Sequence, residues 1–207
     1  MHQTRNEVIR ALPLPRKGTK YVAFALRNNS SAVSVVVALR DMLKLASTSK
    51  EVNHMIHNKM IKLNGKIVTD SHQPIDLFSI FHADKSYKLV VLPTGRFSFE
   101  ETKDTSRPLR VIGKTAVKNK KIQYNLHDGT NIISKEKMNV GDTLVIDFEN
   151  KVKKHISLEK GKGVIITSGS NIGKVGKIKE VSGKKISLSI EGQSEEVVLQ
   201  KTQVMVQ

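Results

Sequence analysis

His54 and His57 stand three residues apart, a spacing that places two ring nitrogens on one side of a helix, where they could grip a metal ion. The chain has no cysteine and no third ligand close in sequence, so the pair reads better as hydrogen-bond donors than as a metal centre. Gly169-Ser170-Asn171-Ile172-Gly173-Lys174-Val175 invites a phosphate-loop reading. The pattern G-x-x-x-x-G-K-[ST] requires glycine where Ser168 stands and a magnesium-binding hydroxyl where Val175 stands, so nucleotide hydrolysis is not expected. A loop whose glycines take positive φ and bring backbone close to a ligand explains the segment better. His127-Asp128 could be half of a catalytic triad, but it falls on a hairpin turn with no nucleophile in a recognisable setting.

The elements that hold these residues follow from periodicity. Residues 1–33 mix basic side chains with Pro and Gly and keep no sustained period, which predicts a basic arm laid along a partner. From Ser34 onward, Val35, Val36, Leu39, Met42, Leu43 and Ala46 recur at helical spacing and leave Arg40 and Lys44 on the other side. Thr48-Ser49-Lys50-Glu51 has the form of a capping box and opens a second short helix. That helix puts Val52, Met55 and Ile56 on one side and Lys50, Asn53, His54 and His57 nearly opposite. Asn64-Gly65 between two short apolar runs predicts a type I′ hairpin flanked by Lys62 and Lys66.

Residues 86–156 read as β-rich. Tyr87 to Leu92, Leu109 to Ile112, Lys121 to Leu126 and Thr143 to Phe148 are strand candidates, with turns at Asp128-Gly129 and Gly141-Asp142. The last fifty residues show short strands at barrel-like spacing, Gly163 to Thr167, Lys174 to Val181, Lys185 to Ile190 and Glu196 to Leu199.

Composition limits the partner. The 207 residues carry 35 Lys and Arg against 19 Asp and Glu, a formal net charge of +16. A positive field of that size concentrates polyanions, and nucleic acid is the usual one. Residues 150–185 hold ten Lys against Glu159 and Glu180, about half of the whole surplus. No apolar run approaches the ~18 residues of a spanning helix and no signal-like stretch opens the chain, so a soluble, intracellular, non-membrane protein is expected. Absence of cysteine excludes disulfides and thiolate zinc sites. Hydrophobic residues at 38% and aromatics at 4% point to several small cores in place of one large one.

Leu39-Arg40-Asp41-Met42-Leu43-Lys44-Leu45-Ala46, Thr48-Ser49-Lys50-Glu51 and Lys62-Leu63-Asn64-Gly65-Lys66 together resemble the alpha-L RNA-binding domain. Gly163-Val164-Ile165-Ile166-Thr167 with Asn171-Ile172-Gly173-Lys174-Val175-Gly176-Lys177-Ile178 resembles a KOW motif in an SH3-like barrel. In this order, with Gln123-Tyr124-Asn125-Leu126-His127-Asp128-Gly129-Thr130-Asn131 between them, nearly the whole chain is similar to the e-type, number-four family of archaeal and eukaryotic small-subunit ribosomal proteins. Two departures stand out: the second helix carries Asn53, His54 and His57 where the family is rich in Arg and Lys, and the arm is shorter and less basic.

The resemblance implies a multi-domain α+β fold: a basic arm (1–33), a small α/β alpha-L domain (34–85), and two small β barrels, a central β-rich domain (86–156) and an SH3-like KOW barrel (157–207). It implies a cytoplasmic, non-catalytic constituent of the small ribosomal subunit, partnered by ribosomal RNA and neighbouring ribosomal proteins, with no cofactor, no metal and no homo-oligomer. Residues expected at RNA are Arg10, Arg16, Lys17, Lys20, Arg40, Lys44, Ser49, Lys50, Asn53, His54, His57, Lys59, Lys62, Lys66, Lys174, Lys177 and Lys179. Two other classes share parts of this pattern. A pseudouridine-synthase type of enzyme would use an aspartate such as Asp41, which here lies within a helix and reads as partner to a nearby basic side chain. A transcription elongation factor would use the KOW barrel against polymerase.

Overall fold

The computed structural model describes residues 2–27, 31–117, 121–190 and 196–206. The chain divides into two compact units, Met1–Asp104 and Thr105–Gln207, both built mostly from short antiparallel strands with few helices. The first unit contains β1 (Gln3–Thr4), β2 (Tyr21–Val22), β3 (Ala32–Ser34), α1 (Val35–Val37), α2 (Ser49–His57), β4 (Lys62–Leu63), β5 (Lys66–Ile67), β6 (Pro74–Asp76), β7 (Ile80–His82), β8 (Ser86–Val91) and β9 (Phe97–Glu101).

Residues 1–33 are expected as a basic arm laid along a partner; those of them that are described are folded onto this unit. β1 pairs with β2, and the Phe97 N–H donates to the Ala11 carbonyl at 2.7 Å. The Arg5 guanidinium donates to the Pro15 carbonyl and, at 2.8 Å, to that of Thr19, closing the intervening loop. Leu12, Val22 and Ala25 are buried. Scattered among the basic residues, these three supply enough apolar surface to dock the segment, at about 25 cal/mol per Å² removed from water.

The first predicted helix is shorter than its periodicity suggested. The Ser34 hydroxyl caps α1, after which the chain widens into a π-type turn at Ala38–Met42, with the Leu43 N–H donating to the Ala38 carbonyl at 2.8 Å. Three successive β-branched valines make a poor helix, and Val35 through Leu39 are buried on every side, so tertiary packing decides the conformation here. Lys44 then takes a left-handed φ of 56°, which ends the turn and separates it from Arg40.

The hairpin is as the sequence predicts: Asn64 and Gly65 have φ of 51° and 81°, the positive pair that a type I′ turn requires. It lies at one edge of a sheet ordered β5-β4-β7-β8-β9. A boundary between residues 85 and 86 would cut the β7–β8 hairpin, where Phe81 is paired with Tyr87. The strand around Tyr87 therefore belongs to the first unit, because its alternate residues Tyr87, Leu89 and Val91 bury against that unit's core.

The second unit continues with β10 (Ser106–Val117), β11 (Lys121–Leu126), β12 (Asn131–Ser134), β13 (Thr143–Asp147), β14 (Val152–Ile156), β15 (Gly163–Ile166), β16 (Val175–Ser182), β17 (Lys185–Ile190), β18 (Glu196–Gln200) and β19 (Val204–Val206). They form two five-stranded sheets, β12-β11-β10-β13-β14 and β18-β17-β16-β15-β19. Each covers its own buried cluster: Leu109, Tyr124, Leu126 and Leu144 in one, Val164, Ile178, Leu188 and Val204 in the other. The long β10 serves two neighbours, pairing through Ser106–Arg110 with β13 and, beyond a bulge after Val111, through Gly113–Val117 with β11.

Polar groups pin these sheets. Asp142, only 2% exposed, accepts from the Asn139 N–H (2.9 Å) and the Leu158 N–H (3.0 Å) and pairs with His155 Nε2 at 2.7 Å. Asp142→Ala strands two backbone donors in a dry site, and each unsatisfied donor costs about 1–3 kcal/mol. Urea unfolding of that variant should show a loss of about 2–4 kcal/mol in the unit's stability, with the exposed Glu149→Ala unchanged as control.

Candidate nucleic-acid interface

α2 begins where two polar groups make a helix start inexpensive. The Thr48 hydroxyl accepts from the Glu51 N–H at 3.3 Å. Glu51 returns past the cap residue to accept from the Ser47 N–H at 2.7 Å and from the Thr48 hydroxyl at 3.1 Å. Val52 is wholly buried, Met55 and Ile56 are half-buried, and Ser49, Lys50, Asn53, His54 and His57 are exposed. The helix thus docks through one stripe and turns donors outward, as its period predicts. Its one carboxylate, Glu51, is occupied by the cap and held below the ordinary carboxylate range, first by the Ser47 N–H and then by the Thr48 hydroxyl.

The hairpin follows directly. Lys59 at φ 55° leaves the helix, and Lys62 and Lys66 are exposed on β4 and β5. None of Lys50, Lys59, Lys62 and Lys66 has an acid within 4.0 Å among the described residues. His54 Nε2 lies 3.1 Å from the Asn58 amide nitrogen, and no group of three or more His, Asp or Glu able to hold a metal occurs among the described residues.

Other expected residues are less available. Arg40 is committed inside the fold: its Nε and Nη2 donate to the two Asp41 oxygens at 2.9 and 2.7 Å, and Nη1 donates to the Ser49 hydroxyl at 3.2 Å. The Asp41 carboxylate raises its pKa above the usual value, so Arg40 ties the turn after α1 to the start of α2 and Ser49 accepts from it. Lys44 is exposed on its left-handed turn. In the amino-terminal segment Arg10, Arg16 and Lys17 are exposed, and the Lys20 ammonium sits 5.3 Å from the Tyr21 ring centroid.

In the second unit Lys177 is exposed without an acid partner among the described residues, whereas Lys179 pairs with Glu196 at 2.7 Å. The half-buried Lys174 donates to Asn171 Oδ1 at 2.9 Å within the glycine loop. That loop's Gly173 N–H donates to the Ile166 carbonyl at 2.8 Å, so its backbone serves the turn rather than a phosphate cradle. His127 and Asp128 hold a hairpin onto β10: His127 Nδ1 accepts from the Arg110 N–H at 3.1 Å, and Asp128 forms a buried ion pair with Arg107 at 2.9 Å. Sequence reasoning passed over Lys114, Lys121, Lys135, Lys137 and Lys154, all exposed and without an acid partner among the described residues. Lys121 and Lys154 had a signal in exposed strand positions, whereas Lys135 and Lys137 follow β12 outside any strand and Lys114 shares the face of buried Tyr124.

Comparison with known proteins places this arrangement among ribosomal proteins. A sequence model described as ribosomal family S4e matches residues 83–154. Proteins named small ribosomal subunit protein eS4 are 30% identical in Methanocella arvoryzae (87% of this chain, 80% of that one) and 30% identical in Archaeoglobus fulgidus (95% and 88%). The one from Pyrobaculum islandicum is 35% identical over 82% of this chain and 77% of its own. The crystal structure of the 30S ribosomal protein S4e from Thermoplasma acidophilum shares the fold with a TM-score of 0.72 at 23% identity, covering 86% of this chain and 95% of that one. The chain belongs to ribosomal family S4e, a family of structural, non-enzymatic proteins. Among the described residues no helix is long and apolar enough to cross a membrane.

The cap on α2 gives a pH dependence. Glu51 binds a proton less readily folded than unfolded, so its contribution is complete above the ordinary value of 4.5 and is lost as pH falls through the depressed folded value. Amide exchange at Ser47, corrected for intrinsic rates, should lose protection on acidification, and Glu51→Ala should remove that protection at neutral pH. Thr48→Ala should cost about 1 kcal/mol in urea unfolding.

Proposed function

We propose that the chain is a structural constituent of the small ribosomal subunit that holds ribosomal RNA through its basic surfaces, in the cytoplasm, beside neighbouring ribosomal proteins. Lysine and arginine neutralise phosphates and release counterions, and the shape of the small modules selects the RNA fold they sit on. The observation that carries this reading is the exposed set Lys50, Lys59, Lys62 and Lys66 next to the uncharged donors Asn53, His54 and His57, with no acid neutralising those lysines among the described residues. On this reading the alpha-L module expected over residues 34–85 is extended by β8 and β9, β10 to β14 form the central β-rich module, and residues 157–207 act as an SH3-like KOW barrel.

The contacts divide into two kinds. Arg10, Arg16, Lys17, Lys20, Lys44 and Lys177 supply field and phosphate contacts from exposed positions. Arg40, Ser49, Lys174 and Lys179 are partly committed within the protein and act mainly by setting the shape of the surface. The relatives named small ribosomal subunit protein eS4 support the assignment to that particle.

Two measurements test it. Tagged protein expressed in its own host should sediment with the small ribosomal subunit; co-sedimentation with RNA polymerase instead would overturn the reading. For binding to purified small-subunit ribosomal RNA, about six phosphate contacts imply a roughly thousandfold loss of affinity between about 50 and 200 mM salt. Replacing Lys59, Lys62 and Lys66 by Gln should lower the magnitude of the log–log salt slope by about three while leaving the urea midpoint unchanged.

A further inference from the structure

We propose that the outward face of the β10–β11–β12 ribbon, carrying Thr115, Lys121, Gln123, Asn125, Asn131 and Ile133, is a separate RNA-contacting surface that seats an irregular, unpaired segment of ribosomal RNA. The proposal rests on the RNA-binding reading above and gives it a site outside the alpha-L and KOW modules that carry the expected contacts.

Register puts these side chains together. Thr115 pairs with Gln123, Gln123 with Ile133, and Asn125 with Asn131, and directly paired residues face the same side of a sheet. The alternate residues Tyr124, Leu126 and Ile132 fill the core beneath, so the platform is held on a packed layer. Gln123 Nε2 donates to Asn125 Oδ1 at 3.1 Å, which fixes the two amides relative to each other and leaves the Gln123 carbonyl and the Asn125 NH₂ directed to a ligand.

An ordinary wet sheet face accounts for polar residues at these positions, but it does not account for two features. β10, β11 and β12 contain no Asp or Glu, while Lys121 stands exposed at the end of the face. Ile133 lies 56% exposed on the edge strand β12, beside Gln123. A carboxylate-free surface with a cation at one end complements a polyanion. Primary amides offer a donor and an acceptor side by side, as base edges and ribose hydroxyls do, and Ile133 offers an apolar surface for an unstacked base. Regular duplex RNA presents few base edges to a flat face, so the occupant is a loop or bulge with phosphate at Lys121 and bases over the amides.

The absence of cysteine makes the test direct. Thr115→Cys and, separately, Asn53→Cys on α2 each give a single attachment point for a tethered iron–EDTA hydroxyl-radical probe on the full chain, reconstituted with deproteinised small-subunit ribosomal RNA and total small-subunit proteins. Strand scission from both positions, at different nucleotides, is the expected result. Scission from Asn53→Cys alone overturns this site while leaving the RNA-binding reading in place, and scission from neither overturns both. A photo-crosslinker on Thr115→Cys that captures a ribosomal protein and no RNA also overturns the proposal. The triple variant Lys121→Ala, Gln123→Ala, Asn131→Ala should weaken binding to the same RNA about tenfold and lower the salt slope by about one. Its urea midpoint should match that of the parent, which separates a lost contact from a lost fold.

Discussion

Like charges that cannot be neutralised inside the protein must be spread over its surface and compensated from outside. With +16 on 207 residues, that constraint governs the whole chain. The carboxylates make it sharper, because several are consumed by folding. Asp76, Asp128 and Asp142 are buried, Asp128 in an ion pair with Arg107, while Glu51 and Asp41 are tied up in a cap and a turn. The surface is consequently more uniformly positive than composition alone indicates. A polyanion that meets it competes with exposed pairs at Lys85, Lys151, Lys153 and Lys179 but with none at Lys50, Lys59, Lys62 and Lys66 among the described residues.

Small cores are the structural counterpart of that surface. Each five-stranded sheet of the second unit covers one aliphatic cluster, and the two are joined by polar contacts and by Ile156 of β14, which packs against the other sheet's cluster. The Arg110 guanidinium donates to the Val204 carbonyl at 3.2 Å and the Thr167 hydroxyl at 3.3 Å, and the Val206 N–H donates to the Thr143 hydroxyl at 3.1 Å. Burial without a carboxylate partner pulls Arg110 down to about 10. Its charged form therefore opposes folding below that pH, and the opposition eases as pH rises through the folded value. Such a junction fixes how the sheets meet more than it stabilises them, in keeping with the principle that buried charges tend to specify geometry at some energetic cost.

Local chemistry was legible wherever one short segment decides the outcome. The Asn64-Gly65 turn, the Thr48 cap, the dry and wet sides of α2 and the strands β11, β13, β15, β16 and β17 follow from spacing and turn residues, whereas β14 went unannounced. What escaped depended on partners distant in sequence. β19 closes its sheet beside β15, yet Val204-Met205-Val206 is too short to announce a strand by itself. The amino-terminal segment looks like an arm until Phe97 binds Ala11 across more than eighty residues. Among site residues, exposure of Lys62, Lys66 and Lys177 was readable from alternation. Pairing of Asp41 with a nearby basic side chain was readable too; that the base is the adjacent Arg40, and that Glu196 captures Lys179, was not, because rotamer choice and a neighbouring strand decide it.

The departures from a densely cationic second helix then acquire a physical sense. Asn53, His54 and His57 offer hydrogen-bonding amide and ring nitrogens in place of lysine or arginine, so on the proposed reading they would add directional contacts more than salt-dependent attraction. Lys50 and the hairpin lysines provide attraction on the same module, and that attraction acts over about a Debye length with little regard for register. The neutral donors act only within hydrogen-bond reach and discriminate among the groups they meet. On the proposed reading, this division of labour between field and contact gives a modestly charged helix its discrimination among RNA groups, because directional hydrogen bonds, unlike the field, depend on which group they meet.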